Sequence, residues 1–437
     1  MGKLTFRGGI HPYEGKELSK DHPIEKYLPK GDLVYPLSQH IGAPSVPCVK
    51  KGDTVLAGQK IADAGGFVSV PLHASVSGTV KGIEKRLNAT GSMVDCIVIE
   101  NDQQYQETEF QEARLEDLTK EEILNRIKEG GVVGMGGAGF PTHVKLAPKD
   151  PSKIEYILVN GAECEPYITS DYRRMIEEPE KVVKGLQVIL TLFDSAKGYI
   201  CIEDNKPDCI AKMKELVKDI DRIEVKEMMT KYPQGGERTL IYAATGREIN
   251  SSMLPADVGC VVDNVETVIS VYKAVILGRP VNSRVVTVTG DGIKEPKNLL
   301  VLAGTDMSEL VDAAGGLKGK IAKAISGGPM MGFALYDLHV PCTKTTSAFL
   351  FLEHDAVSEA QEIQTACINC VSVCPGHVLP ARLAKLAERG DMAGFEALDG
   401  MECCECGCCS YICPAKRPLT QSIKSMRKMV LASRRKK

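Results

Sequence analysis

The hydrophobic pattern changes character several times along the chain, and each change marks a different kind of unit. Residues 34–100 hold short apolar runs broken by turns such as Gly52-Asp53 and Gly58-Gln59, which predicts a small β domain over 34–115. At Leu118 the period becomes helical. Thr119 and Glu122 form a capping box, Ile123, Leu124 and Ile127 supply an apolar face, and Gly130-Gly131 stops the helix. Strands and helices then alternate: strand 154–159, helix 179–193, strand 198–203, helix 208–219 and strand 222–228, with further helices after 232–237 and 263–267. Such alternation predicts a Rossmann-like α/β domain over 116–283.

Residues 284–355 start afresh, with a β run Arg284–Gly290, a short helix Met307–Ala314 and a glycine-rich turn Gly327–Gly332. They read as a compact β-grasp-like module whose glycines and methionines serve packing. Residues 356–437 predict helices Val378–Arg389 and Met392–Leu398 between two cysteine groups, then a basic helix from Ser422 that suits solvent, an acidic partner or an anionic surface. Residues 1–33, rich in charge and turn formers, read as an ordered arm. The fold class is multidomain α/β.

Composition narrows the partners. A chain of 437 residues exceeds one core and predicts roughly three domains. Hydrophobic residues at 43% and charged residues at 25% are ordinary for a globular protein. A net charge of −3 and the absence of Trp give no basis for binding nucleic acid. No run of about 18 apolar residues predicts a membrane span. The first residues lack an apolar stretch, so no secretory signal is expected and the cysteines point to a reducing compartment.

The cysteines state the chemistry. Nine of the sixteen fall between 367 and 413. Cys403-x2-Cys406-x2-Cys409-x3-Cys413-Pro414 has bacterial ferredoxin spacing for a [4Fe–4S] cluster. Cys367-x2-Cys370-x3-Cys374-Pro375 has the same ends and lacks a middle cysteine. Zinc knuckles also use C-x2-C pairs but have no need of the closing x3-C-P. In two-cluster ferredoxins the fourth cysteine crosses to the other cluster. On that pattern Cys374 joins Cys403, Cys406 and Cys409, leaving Cys367, Cys370 and Cys413 one thiolate short. Cys404, Cys408 and His377 are nearby spare groups.

Three loops add to this. Gly134-Met135-Gly136-Gly137-Ala138-Gly139-Phe140, followed by Lys145, suits backbone approach to a phosphate, and by itself suits a tight turn equally. Asn160-Gly161-Ala162-Glu163-Cys164-Glu165 leaves the carboxyl end of a strand, where α/β folds bind ligands. Tyr232-Pro233-Gln234-Gly235-Gly236-Glu237 and Asp263-Asn264 precede helices.

The run from Val49 to Val80 resembles the barrel-sandwich hybrid of biotinyl and lipoyl carriers, but its hairpin Ala64-Gly65-Gly66-Phe67 has no lysine, so docking or packing is expected. Taken in order, GGIHPYEGKELS at 8–19, that barrel run, GMGGAGFPTHVKL at 134–146, NGAECEPYITSDYRRM at 160–175, YPQGGER at 232–238, DNVETV at 263–268, GGPMMG at 327–332 and the cysteine groups resemble the C subunits of Rnf electron-transport complexes. The central part is also similar to the NADH-binding flavoprotein subunit of respiratory complex I. The resemblance implies FMN along Gly134, Gly136, Gly137 and Gly139, with Lys145 on its phosphate. It implies Asn160, Ala162 and Glu163 beside the flavin, and Asp263 and Asn264 near its phosphate or ribityl chain. Phe140 is implied to stack on NAD(H), with Glu165, Tyr232 and Glu237 lining that site. Compared with complex I, Met135 stands where an arginine is usual and Gly236 where an acid is usual; compared with the Rnf pattern, about three residues are missing after Cys370. The β-grasp-like part resembles the soluble-ligand-binding type.

The expected function is that of a peripheral NADH-dependent oxidoreductase subunit on the cytoplasmic face of the membrane. It carries FMN and two [4Fe–4S] clusters, the first incomplete, and works with membrane-spanning and ferredoxin-type Rnf subunits. A cobalamin-reductase flavoprotein of bacterial microcompartments and a non-catalytic iron–sulfur scaffold are the alternatives. No acid–base triad is expected, because the cofactors carry the chemistry.

Overall fold

In the computed structural model, which describes residues 3–355, 357 and 367–435, four parallel strands occupy the centre. Their order is Ile223–Met228, Lys197–Glu203, Tyr156–Gly161, Cys260–Asn264. Alternation along Tyr156–Gly161 sends Ile157 and Val159 to one face and Leu158 to the other. The first face is covered by helices Pro179–Leu190 and Val265–Val275, through Leu186, Ile189, Val268 and Val271. The second is covered by helix Glu237–Thr245, through Leu240 and Ile241. The capping box at Thr119 and Glu122 starts helix Lys120–Glu129 as its residues predict.

Helix Ser170–Glu177 has no counterpart among the expected elements. Its buried face carries Arg174, whose guanidinium binds Glu266 at 2.7 Å, so hydrophobic periodicity does not reveal it.

Residues 33–104 form two small antiparallel sheets facing a shared core of Leu33, Val55, Ile61, Leu72, Val80 and Ile97. The β-grasp-like part is a six-stranded mixed sheet around helix Met307–Ala313. Its edge strand, Ile24–Lys26, comes from the arm and pairs with Lys297–Leu302. The arm also bridges Leu4 to Met228 and Ile10 to Tyr232. It is therefore shared between units rather than laid over one.

Helices Pro380–Glu388, Met392–Ala397 and Leu419–Arg435 pack around Leu383, Phe395, Ile423, Met426 and Val430. The basic terminal helix thus has one buried face. The junction expected at residue 356 lies outside the described residues, as do 358–366, Lys436 and Lys437. No helix of the described residues is long and apolar enough to cross a membrane.

One buried lysine joins three units. Lys344 Nζ donates to Pro71 O at 2.9 Å and Gly131 O at 2.7 Å. Burial lowers its pKa from the ordinary 10.5 to about 7. Beside it, burial also holds His73 down at about 3, so that ring stays neutral. A neutral amine has two N–H groups, which matches the two carbonyls. Because the unfolded lysine keeps its proton up to about 10.5, unfolding takes up a proton between about pH 7 and 10.5, and stability rises with pH across that window. Thermal melts of the wild type and Lys344→Met at pH 7 and pH 9.5 should show the wild type gaining relative to the variant at the higher pH.

Candidate functional site

The carboxyl ends of Tyr156–Gly161 and Cys260–Asn264 lie side by side, with Asn160 opposite Asn264. Everything singled out in the central domain gathers around this edge. The glycine loop closes on itself, Gly134 N donating to Phe140 O at 2.8 Å. A Cβ on Gly136 would lie 2.8 Å from that of Asn264, while one on Gly137 would meet nothing within 4 Å. Gly139 has φ +73°, and a Cβ there would press on Gln39 and His40 of the barrel domain. Phe140 is half-buried. Met135 is buried against Ser270, so its side chain belongs to the core and faces no ligand.

Lys145 Nζ donates to Val262 O at 2.7 Å and Asp263 Oδ1 at 3.1 Å. Burial opposes its charge, but Asp263 and Glu237 outweigh that and raise its pKa. Glu237 itself is exposed in the first turn of its helix. Asn264 caps helix Val265–Val275 by accepting from Glu266 N at 2.9 Å, and its amide donates to Asp171 at 2.6 Å. Burial, reinforced by Glu163, pushes Asp171 up to about 7.

The 160–165 loop is held from several sides. Asn160 Nδ2 donates to Gly235 O at 2.8 Å, and its Oδ1 accepts from Ala162 N at 3.3 Å. Glu163 accepts from Asp171 N at 2.7 Å and Tyr172 N at 3.3 Å. Glu165 accepts from Met330 N at 2.7 Å and Met331 N at 3.1 Å, so the GGPMMG turn binds this loop as well as packing. Two buried lysines complete the support: Lys16 donates to Glu165 O at 3.1 Å, and Lys206 to Ala162 O at 2.6 Å. Tyr232 is buried, with its hydroxyl on Cys406 O at 2.7 Å.

The cysteine groups lie against this edge. Cys374, Cys403, Cys406 and Cys409 line one small cavity, which Cys404 and Cys408 also border. The described thiols are not gathered tightly enough to hold a single metal ion. Cys370 is buried on the short helix Asn369–Ser372 in the same apolar cluster as Cys374 and Cys409. Cys367 Sγ accepts from Asn369 N at 3.4 Å. Cys413 is buried, and His377 is exposed. The spare thiols Cys404 and Cys408 therefore sit with the complete group.

The RnfC barrel-sandwich hybrid pattern matches residues 4–104, the Nuo51 FMN-binding domain 127–273 and the SLBB domain 285–334. The C subunit of the Na(+)-translocating ferredoxin:NAD(+) oxidoreductase complex of Acetobacterium woodii is 42% identical over 99% of this chain and 98% of its own length. The chain belongs to the RnfC family. A second RnfC relative, the C subunit of the proton-translocating ferredoxin:NAD(+) oxidoreductase complex of Clostridium ljungdahlii, is 44% identical over 88% of this chain and 85% of its own. A solved NAD+-reducing [NiFe]-hydrogenase in the H2-reduced state aligns with TM-score 0.49 and 18% identity, over 72% of this chain and 61% of that one.

Several polar atoms around the RnfC strand edge are buried without a hydrogen-bond partner among the described residues: Asp263 Oδ2, Thr142 Oγ1 and both side-chain atoms of Gln234. Buried polar atoms are ordinarily paired. With the open space over Gly137 and the cation at Lys145, these atoms fit a polar, anionic ligand. Gln234, Lys16 and Lys206 were not among the expected site residues; Lys16 and Gln234 fall within the quoted motifs, whereas nothing in the sequence around Lys206 marks it. Removing the Asn264 side chain ends both the helix cap and the Asp171 contact, so Asn264→Ala should lower stability by about 1–2 kcal/mol in chemical denaturation.

Proposed function

We propose that this RnfC-family chain passes electrons between NAD(H) and the ferredoxin-linked subunits of an ion-translocating ferredoxin:NAD(+) oxidoreductase complex, using FMN and [4Fe–4S] centres. The observation that carries the reading is one shared edge: the glycine loop, the two strand ends and the 232–238 loop meet there, and the last of these touches the cysteine cavity through Tyr232 and Cys406. When bound, FMN supplies the exchange between hydride and single-electron chemistry, and a four-iron cluster supplies the single-electron carrier.

The chain's own residues bind, orient and exclude water. Gly136 and Gly137 leave backbone bare for the flavin, and Gly134 and Gly139 shape the loop. Lys145, kept charged by Asp263 and Glu237, is the phosphate partner. Asn160, Ala162 and Glu163 hold the loop beside the ring, and Asn264 orients it through Asp171. Phe140 offers a half-buried ring to stack on the dinucleotide. Among the three residues expected to line that site, Glu165 and Tyr232 already engage Met330 and Cys406, which makes Glu237 the acid with a free face for nucleotide hydroxyls. Cys374, Cys403, Cys406 and Cys409 are ligands of one cluster, and Cys367, Cys370 and Cys413 of a second that lacks one thiolate. The complex's other Rnf subunits include membrane-spanning and ferredoxin-type proteins, and this subunit sits peripherally on the cytoplasmic face.

Gly137→Val places a branched side chain in the open space over the loop. Flavin released on denaturation should fall to a small fraction of wild type, while iron and sulfide stay at wild-type content; normal flavin occupancy would remove this loop from the site. Glu237→Ala should slow NADH-driven flavin reduction in stopped flow and leave dithionite reduction of the iron–sulfur signal unchanged. Unaltered NADH kinetics would assign Glu237 to solvent.

A further inference from the structure

Tyr232 is buried, and both its polar ends face the cysteine-bearing domain. Its hydroxyl donates to the Cys406 carbonyl at 2.7 Å, and Cys408 Sγ approaches the Tyr232 carbonyl at 3.9 Å. Around it, Ile10, Cys164, Met330 and Val373 form an apolar collar with Cys406 and Cys408. The same loop is tied to the strand edge, through Asn160 Nδ2 to Gly235 O at 2.8 Å and Gly235 N to Cys164 Sγ at 3.3 Å. From Asn160 to Cys406 the connection is therefore one short loop with a hydrogen bond at each end. A second contact docks the two units further out: Arg238 binds Glu402 at 2.8 Å, and Ser251 donates to Glu402 through its backbone N–H at 2.9 Å and through its side-chain hydroxyl, which Ser251→Ala would remove.

We propose that the Tyr232 hydroxyl is a positioning residue for electron transfer: its bond to the Cys406 carbonyl fixes the cluster against the flavin edge and raises that cluster's reduction potential. The inference rests on the reading above, in which Cys374, Cys403, Cys406 and Cys409 hold a four-iron cluster. One electron leaves the reduced flavin and enters the cluster; no bond breaks, and Tyr232 keeps its proton. The O–H dipole points its positive end toward a ligand residue of the cluster, in a buried setting where dipoles act strongly. Such a dipole favours the more negative, reduced state, since hydrogen bonding and burial tune cluster potentials.

The test is redox-poised EPR on anaerobically purified full-length protein, with flavin, iron and sulfide assayed in parallel. Tyr232→Phe should keep its cofactors and shift the midpoint potential of one four-iron signal downward, with slower reduction of that signal by NADH. Incorporating 3-fluorotyrosine at 232, a stronger donor of the same shape, should shift the potential upward. Ser251→Ala loosens the outer docking contact and should leave the potential at the wild-type value. An unmoved potential in both Tyr232 variants, or an equal shift in Ser251→Ala, overturns the inference. Absence of any four-iron signal in the wild type removes the underlying reading and this inference with it; a normal signal with an unmoved potential removes the inference alone.

Discussion

The structure depends on a buried joint in which four segments satisfy one another's polar groups. Gly9 N donates to Val373 O at 2.8 Å, Ile10 and Tyr232 exchange backbone bonds at 2.9 Å, Tyr232 reaches Cys406, and Met330 N reaches Glu165. Each of these groups comes from a different unit: arm, α/β domain, cysteine domain and β-grasp-like part. A buried backbone N–H or C=O without a partner costs about 1–3 kcal/mol. No one of these units can leave the joint without exposing or orphaning groups on the others. That condition gives the strand edge and the cysteine cavity a fixed separation, which separate domains on flexible linkers do not provide.

The joint also explains why so many charges are buried nearby. Lys16, Lys206, Glu163 and Glu203 are all withdrawn from solvent behind the 160–165 loop. Burying charge is costly, and a paired cluster is weak support for stability. What it does secure is conformation: Lys16 and Lys206 donate to carbonyls of a loop whose Glu163 has φ +44°, a left-handed setting that a non-glycine residue holds only under restraint. The loop is held by its partners rather than where its own preferences would leave it.

Much of the architecture was legible because it rests on local signals. The capping box at Thr119, the strand Tyr156–Gly161 with its alternating faces, and the polar loops at the carboxyl edge follow from neighbouring residues. The cysteine spacing already paired Cys374 with Cys403, Cys406 and Cys409, and those four line one cavity. What was not legible depends on long-range partners. Helix Ser170–Glu177 hides its buried face behind Arg174, which looks like a surface residue until Glu266 is placed beside it. The GGPMMG turn reads as packing until Glu165, far away in sequence, is found on its N–H groups. Lys344 and Lys16 are buried lysines, and composition has no means of separating them from solvated ones.

The two cysteine runs are unequal, and they meet the joint in different ways. The run from Cys403 to Cys409, completed by Cys374, lies directly under Tyr232, and both spare thiols, Cys404 and Cys408, border the same cavity. The first run places Cys370 on the short helix Asn369–Ser372, and His377 beyond it is exposed. A shortened loop at the second run would displace Cys406, whose carbonyl accepts from Tyr232. The first run meets the joint as well, but through the Val373 carbonyl, which accepts from Gly9 N at 2.8 Å and does not depend on the cysteine that this run lacks.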